Sequence, residues 1–233
     1  MISVIIPTWN EAAQLPASLA SLRRQGQLHE VIVVDAGSTD PTREVAESHG
    51  ATFIPSPRRQ RAAQMNLGAA HSRGDCLLFL HADTCLPDEA LAKIARALQD
   101  PAVNGGGFAR RFDSPSAVLR LTCLLAEIRT RCLGWFLGDQ AIFVRRAVFE
   151  SLGGFRDLDL FEDLDFSRRL GRVVTLRPPV ISAGRRFAAR GPTRTTCRDF
   201  WLTVRYLSRS HWRLHDSAAD VATANLPTSA GPP

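Results

Sequence analysis

Lysine is almost missing from this 233-residue chain: Lys93 is the single lysine among 29 basic residues, which leaves 28 arginines. So uniform a preference is a bias of composition, and no arginine is informative by identity alone. Paired cysteines are missing too. Cys76, Cys85, Cys123, Cys132 and Cys197 form an odd set without any C-x-x-C spacing, which argues against a disulfide framework and against a zinc site. They read as reduced, mostly buried thiols. No Gly-x-Gly-x-x-Gly turn follows the first apolar run, which excludes an NAD-type dinucleotide site, and no Gly-x-x-x-x-Gly-Lys loop exists for a P-loop enzyme. The amino terminus lacks the basic, apolar and small-residue regions of a signal peptide, so a cytoplasmic protein is expected. The longest apolar-leaning stretch, 117–137, is broken by Arg120, Glu127, Arg129 and Arg131, each costly at a bilayer centre. No internal repeat is visible.

What is present is ordinary for a globular protein: 45% apolar, 22% charged and 7% aromatic residues. That balance excludes wholesale disorder, collagen and coiled coil. The net charge of +6 suits an anionic ligand, a nucleic acid or an acidic membrane surface, and does not choose among them. Because the arginines are scattered and no zinc-finger or RNA-recognition signature occurs, a nucleic-acid partner is not expected.

The apolar pattern predicts alternating strands and helices. Ile2 to Ile6 and Val31 to Val34 are β-branched runs of the kind buried in parallel sheets. Leu15, Leu19 and Leu22 between them share one helix face. Asp40-Pro41 announces a second helix that closes at Gly50, Ala51 to Ile54 a third strand, and Cys76 to Leu80 a fourth. Gly105 to Phe108 reads as an irregular or edge strand where backbones pass closely. Gln140 to Val144 and Val173 to Leu176 are further strands, and Leu164, Phe166 and Leu170 mark a helix. The expectation is a single α/β domain over 1–216 with a mostly parallel central sheet flanked by helices, a terminal helix over 196–213, and a disordered tail over 217–233.

In such a sheet ligands bind beyond the carboxyl ends of strands, so the residues following each strand matter most. They are unusually polar: Pro7-Thr8-Trp9-Asn10-Glu11 after the first, Asp35-Ala36-Gly37-Ser38-Thr39-Asp40 after the second, and His81-Ala82-Asp83 after the fourth. Many of these residues also serve as helix caps, and capping accounts for Asp40. Capping accounts less well for Asp35 and Asp83. A carboxylate at a strand end can accept bonds from a base or ribose, which suits Asp35, or hold a hard divalent cation against phosphates, which suits Asp83. In Phe161-Glu162-Asp163-Leu164-Asp165, adjacent acids at helical spacing point about 100 degrees apart, so only one faces a shared cleft. First-turn acids favoured by a helix dipole are the plainer explanation.

Taken together, Ser3 to Glu11, Val34 to Asp40, Arg61-Ala-Ala-Gln-Met-Asn66-Leu-Gly, Leu80-His-Ala-Asp83, Gly153-Gly-Phe155 and Glu162-Asp163-Leu-Asp165 occur in an order that resembles the family 2 glycosyltransferases of GT-A fold. Among its branches the chain is similar to the small glycosyltransferases linked by name to arsenosugar biosynthesis. The resemblance covers residues 1–185. It implies a nucleotide-diphosphate sugar donor, commonly a UDP-sugar, a divalent metal (Mg or Mn) and inversion at the anomeric carbon. It also implies that Pro7, Thr8, Asn10, Glu11, Asp35, Ser38, Arg61 and His81 form the nucleotide-sugar site. Asp83 is the implied metal ligand. The family usually carries Asp-x-Asp here, and this chain has His81 in the first position. Asp163 matches the catalytic base, with Glu162 beside it. Gly107, Gly138, Asp139 and Gln140, lying between the donor half and the base, are candidates for bordering the acceptor.

The altered His81-Ala82-Asp83 motif leaves a second reading, a catalytically silent nucleotide-sugar-binding protein of the same fold. Two features of the terminal region also carry a sharper and a plainer explanation. His211 and His215 have metal-ligand spacing, although a solvated or capping role explains them more simply. Trp201, Tyr206 and Trp212 beside arginines have the makings of a peripheral membrane foot. Packing onto the domain or a dimer contact is favoured over that membrane contact.

Overall fold

A computed structural model describes residues 1–26 and 29–223, with the side chains of Arg186 and 209–223 excepted. The chain alternates strands and helices through its first half: β1 (Ile2–Thr8), α1 (Leu15–Arg23), β2 (His29–Asp35), α2 (Thr42–Ser48), β3 (Thr52–Pro55), α3 (Arg61–His71), β4 (Cys76–Phe79), β5 (Thr84–Cys85) and α4 (Ala90–Ala97). The second half is less regular: β6 (Gly105–Phe112), α5 (Ala117–Leu133), a 3-10 turn at Gly138–Gln140, β7 (Ile142–Arg145), α6 (Arg146–Ser151), α7 (Glu162–Arg169), β8 (Val173–Ser182), α8 (Arg185–Arg190) and α9 (Pro192–Thr223). The short β5 and α6 carry too few residues for an apolar period to be readable.

One sheet runs in the order β3-β2-β1-β4-β7-β6-β8-β5. The pairings β1–β2, β1–β4, β2–β3 and β6–β8 are parallel, whereas β4–β7, β6–β7 and β5–β8 are antiparallel. Four of these seven pairings are parallel, so the sheet is mostly parallel as expected, with antiparallel contacts only where β7 and the short β5 join it. The parallel half is the one whose runs read most clearly, because strands covered on both faces are continuously apolar. Val4, Ile5, Ile6, Val33, Val34, Leu77 and Leu78 are all fully buried. α1 covers one face with Leu15, Leu19 and Leu22, as their spacing predicts.

Of the two alternatives for β6, irregular or edge, the structure has the first: its register with β8 shifts between Phe108 and Arg110, and it lies between β7 and β8 with its backbone close to both. A Cβ on Gly106 would stand 2.1 Å from the Val174 carbonyl oxygen, and one on Gly105 2.3 Å from that of Phe143. Glycine lets a central strand sit where any side chain would meet backbone. The terminal helix is also longer than expected. It begins at Pro192 and continues through 217–223, the first part of the expected tail, while 224–233 lie outside the described residues.

A phenylalanine cluster holds α7 against the sheet. Phe166 is fully buried, its ring centroid 4.4 Å from that of Phe155, which in turn meets Phe79 of β4 at 4.7 Å. Burying such a side chain is worth about 1.5–3 kcal/mol. Asn66 on α3 ties down the preceding turn, donating to the Phe155 carbonyl and accepting its N–H at 2.8 and 2.9 Å.

Gly106→Ala tests the close approach in β6. Its Cβ meets backbone, which cannot yield as a side chain can, so stability falls by about 1–3 kcal/mol or more. A Tm lowered by several degrees is the expected result. Gly26→Ala, whose Cβ meets nothing within 4 Å, leaves Tm within about a degree. Calorimetry on both variants checks this, and equal Tm values would contradict the packing.

Candidate active site

Strand direction decides which loops meet. β1, β2 and β4 run parallel, so Thr8 to Glu11, Asp35 to Asp40 and His81 to Asp83 emerge at one edge of the sheet. β7 runs against β4 with Ile142 opposite Phe79, so the segment that enters β7, including Gly138–Gln140, rises at the same edge. β8 ends there as well, with Ser182 paired to Thr84.

The donor-side loops are sewn to one another. Asp35 accepts from the Thr8 and Ser38 hydroxyls at 2.9 and 2.5 Å, and from the Gly37 and Ser38 N–H groups at 3.0 and 2.8 Å. Its carboxylate thus shapes the loop. Asn10 takes a left-handed backbone, φ 54°, donates its N–H to the Ser38 hydroxyl and accepts the Thr39 N–H on its side chain. Gln64, buried on α3, donates to the carbonyls of Thr8 and Val34 at 2.8 Å each, where β1 and β2 end. Pro7 and Thr8 lie in this frame, and Trp9 carries the Arg59 guanidinium over its ring at 3.0 Å.

Asp83 and Glu11 meet through Arg185, a residue the sequence did not single out. Its Nη2 lies 2.8 Å from Glu11 Oε2 and 3.4 Å from Asp83 Oδ2. Burial pushes the Glu11 carboxyl up, against the pull of the Arg185 hydrogen bond and charge, and the charges of Asp83 and Asp40 add to the rise. Two carboxylates from separate strand ends therefore converge on one positive charge. That donor set fits a hard divalent cation. Among the described residues no three His, Cys, Asp or Glu side chains cluster as a metal site, so a cation there would complete its shell with water and phosphate oxygens.

Asp163 is buried in the first turn of α7. Its Oδ2 accepts the Gly138 N–H at 2.5 Å and its Oδ1 the Leu164 N–H at 2.6 Å. Burial pushes its carboxyl up to about 6, the neighbouring Glu162 charge adds to the rise, and Arg61 and the two N–H groups oppose it. Glu162 points elsewhere, as helical spacing requires, and pairs with Arg61 at 3.2 Å. Arg61 thus joins the starts of α3 and α7. Gly138 links the two halves of the crevice: a Cβ there would fall 2.3 Å from His81 Nε2 and 3.1 Å from Asp163 Oδ2. His81 and Asp163 consequently flank a single glycine, with Asp83 two residues beyond His81.

The other acceptor candidates have structural partners. Asp139 is paired with Arg110. Gln140 is fully buried, accepting from Arg129 and the Leu137 N–H and donating to the Phe108 carbonyl. Arg129 itself is pushed down to about 10 by burial and by the nearby Arg110 charge. Gly107 lies beneath the Phe136 ring, which a Cβ would approach to 2.6 Å. Of the four, the structure brings only Gly138 against Asp163. His211 and His215 lie outside the described side chains.

The family described as Glycosyl transferase family 2 matches residues 3–152, more than half of the chain. A Haemophilus influenzae protein named an uncharacterized glycosyltransferase is 40% identical over 198 residues, covering 76% of this chain and 64% of that one. The chain thus spans less than two thirds of that relative's length. A Mycobacterium tuberculosis PGL/p-HBAD biosynthesis glycosyltransferase is 32% identical over 189 residues, 72% of this chain and 69% of its own. Among solved structures, the Pyrobaculum calidifontis mannosyltransferase PcManGT, in complex with GDP-Man and Mn2+, superposes with a TM-score of 0.62 at 27% identity, covering 78% of this chain and 56% of that one. TarS of S. aureus does so with a TM-score of 0.66 at 19% identity, covering 78% and 36%.

The raised Asp163 carboxyl has a thermodynamic signature. Unfolded, it ionises near 3.8; folded, near 6. Below about pH 4 it is protonated in both states, and between these values the folded chain keeps a proton that the unfolded chain has lost. Above about pH 6 it is charged in both states, and its burial costs up to about 3 kcal/mol. Asp163→Asn removes the titration. The Tm of the variant minus that of the parent should therefore rise from pH 4 to about 6 and then level off. A flat or falling difference would contradict the raised carboxyl.

Proposed function

The chain belongs to glycosyl transferase family 2, and on that premise we propose that it is an inverting glycosyltransferase that moves a sugar from a nucleotide-diphosphate donor, a UDP-sugar, to an acceptor hydroxyl. The observation that carries this reading is the placement of Asp163. It is a buried carboxyl with raised basicity, held by the Gly138 N–H across from His81, at the sheet edge where Asp83 also stands. The solved relatives with bound donors lend the donor class by similarity: TarS of S. aureus was crystallised with UDP and with UDP-GlcNAc, and PcManGT with GDP-Man and Mn2+.

In this reading the acceptor oxygen attacks the anomeric carbon as the bond to the diphosphate oxygen breaks. The acceptor proton passes to the Asp163 carboxylate. A positioned base contributes about 10² to 10⁴ in rate, most when its pKa lies near the working pH. A carboxyl near 6 is ionised at neutral pH yet far more basic than a solvated one. The backbone N–H groups of Gly138 and Leu164 fix both of its oxygens and so hold it ready in one orientation. Asp83, with Glu11 behind it, would hold magnesium or manganese, which offsets charge on the departing diphosphate. The Asn10–Ser38 and Asp35–Thr8 bonds hold the nucleotide loops in one shape.

The silent-binder reading keeps one observation in its favour, His81 in place of an acid. Two measurements separate the readings. Donor at 100 times its dissociation constant stabilises by about 2.7 kcal/mol, and the manganese-dependent part of that shift should vanish in Asp83→Ala. Asp163→Asn should bind donor normally yet lose at least about 10² in turnover, while kcat/KM of the parent falls as pH drops below about 6. Normal turnover in Asp163→Asn would remove the base assignment, and donor binding with no transfer to any acceptor would favour the silent binder.

A further inference from the structure

The large apolar side chains that this fold leaves in water are concentrated on two helices. On α5, Leu121, Leu124, Leu125 and Ile128 are 50–56% exposed, at the i, i+3, i+4 and i+7 spacing of one helix face. The opposite face of the same helix carries the buried Leu119, Ala126 and Thr130. On α9, which packs against α5, Phe200 and Trp201 are 69% and 63% exposed and Val204 lies one turn on. Of the aromatics expected to pack onto the domain or to make a dimer contact, Tyr206 does the first, stacking on Phe161 at 5.1 Å, whereas Trp201 stays exposed.

Arginines border both faces: Arg120 and Arg131 on α5, and Arg194, Arg198 and Arg205 on α9, all exposed. Of the acids on these stretches, Glu127 is turned away into ion pairs with Arg131 and Arg177, and Asp199 is half-buried. Beside the α5 stripe, and sharing Leu124 and Arg120 with it, opens a groove of about 640 Å³. Arg110, Arg111, Arg120 and Arg177 line this groove against the single acid Glu127.

We propose that the outward faces of α5 and α9 form a docking surface for an anionic phospholipid bilayer. Leucine, phenylalanine and tryptophan would enter the headgroup boundary while the arginines meet lipid phosphates, the pattern of helices that lie in an interface and do not cross it. No helix among the described residues is long and apolar enough to cross a membrane. A second copy of this chain is the poorer occupant, because the same arginines would be brought face to face. The net charge of +6 supports the anionic surface in the same way.

The test uses the full chain without donor, so its outcome is independent of the transferase reading. Sedimentation is measured with vesicles of phosphatidylcholine alone and of phosphatidylcholine mixed with phosphatidylglycerol. Binding is expected only to the mixed vesicles at low salt, with release as salt is raised. Arg120→Gln combined with Arg198→Gln should weaken partitioning about 25-fold, near fivefold for each arginine. Leu124→Asp with Ile128→Asp, both at exposed positions and expected to keep the parent's circular dichroism, should abolish it. Failure to sediment with the mixed vesicles, equal binding to phosphatidylcholine alone, or binding unchanged in both double variants would each overturn the proposal. So would a dimer in sedimentation velocity that the leucine and isoleucine changes dissolve, which would assign the face to a second copy.

Discussion

The reversal of β7 is the constraint on which the rest of this structure depends. Had β7 run parallel to β4, the segment that enters it would have emerged at the opposite edge of the sheet, away from Thr8, Asp35 and Asp83. Because it runs antiparallel, with Ile142 opposite Phe79, Gly138 is delivered to the edge where the donor-side loops already lie. Glycine lets both neighbours stand where they do, since a Cβ would fall 2.3 Å from His81 Nε2 and push the imidazole aside. The absence of a side chain at one position thus lets two chemically different groups approach each other.

Asp163 is expensive to the fold and useful to the site for the same reason. Taken out of water next to Glu162, its carboxyl resists ionisation, and two backbone N–H groups and Arg61 only partly offset that cost. The phenylalanine cluster around Phe166 and the Asn66 clamp on Phe155 supply the apolar and polar anchoring that keep α7 in place despite it. Glu162 and Asp165 are neutralised by arginines, Arg61 in one case and Arg156 and Arg169 in the other, so of the three first-turn acids only Asp163 faces the glycine at the crevice. Helix-dipole stabilisation of first-turn acids and a role for one of them at the crevice coexist in the same turn.

Arg185 shows how positive charge is used where lysine is nearly missing. Its guanidinium reaches acids from the β1 and β4 loops together. The same composition leaves arginines on the outward faces of α5 and α9, where they border exposed leucines and aromatics.

The sequence by itself determined the parallel half of the sheet, the helices that cover it and the polar character of each strand end, because continuous β-branched runs and helical leucine spacing are local signals. It also pointed to Asp83 and Asp163 through their motifs. The tertiary structure alone decided that β7 runs against its neighbours, that β6 is interior, that Asp35 and Gln140 brace the segments around them, and that Gly138 lies against Asp163. Strand direction and hydrogen-bond partners depend on residues far apart in the chain, and Arg185, one arginine among 28, acquires its place only when the end of β8 pairs beside β5 and carries it to Asp83. Local pattern records what a segment prefers, whereas the neighbours it meets are settled by the packing of the whole.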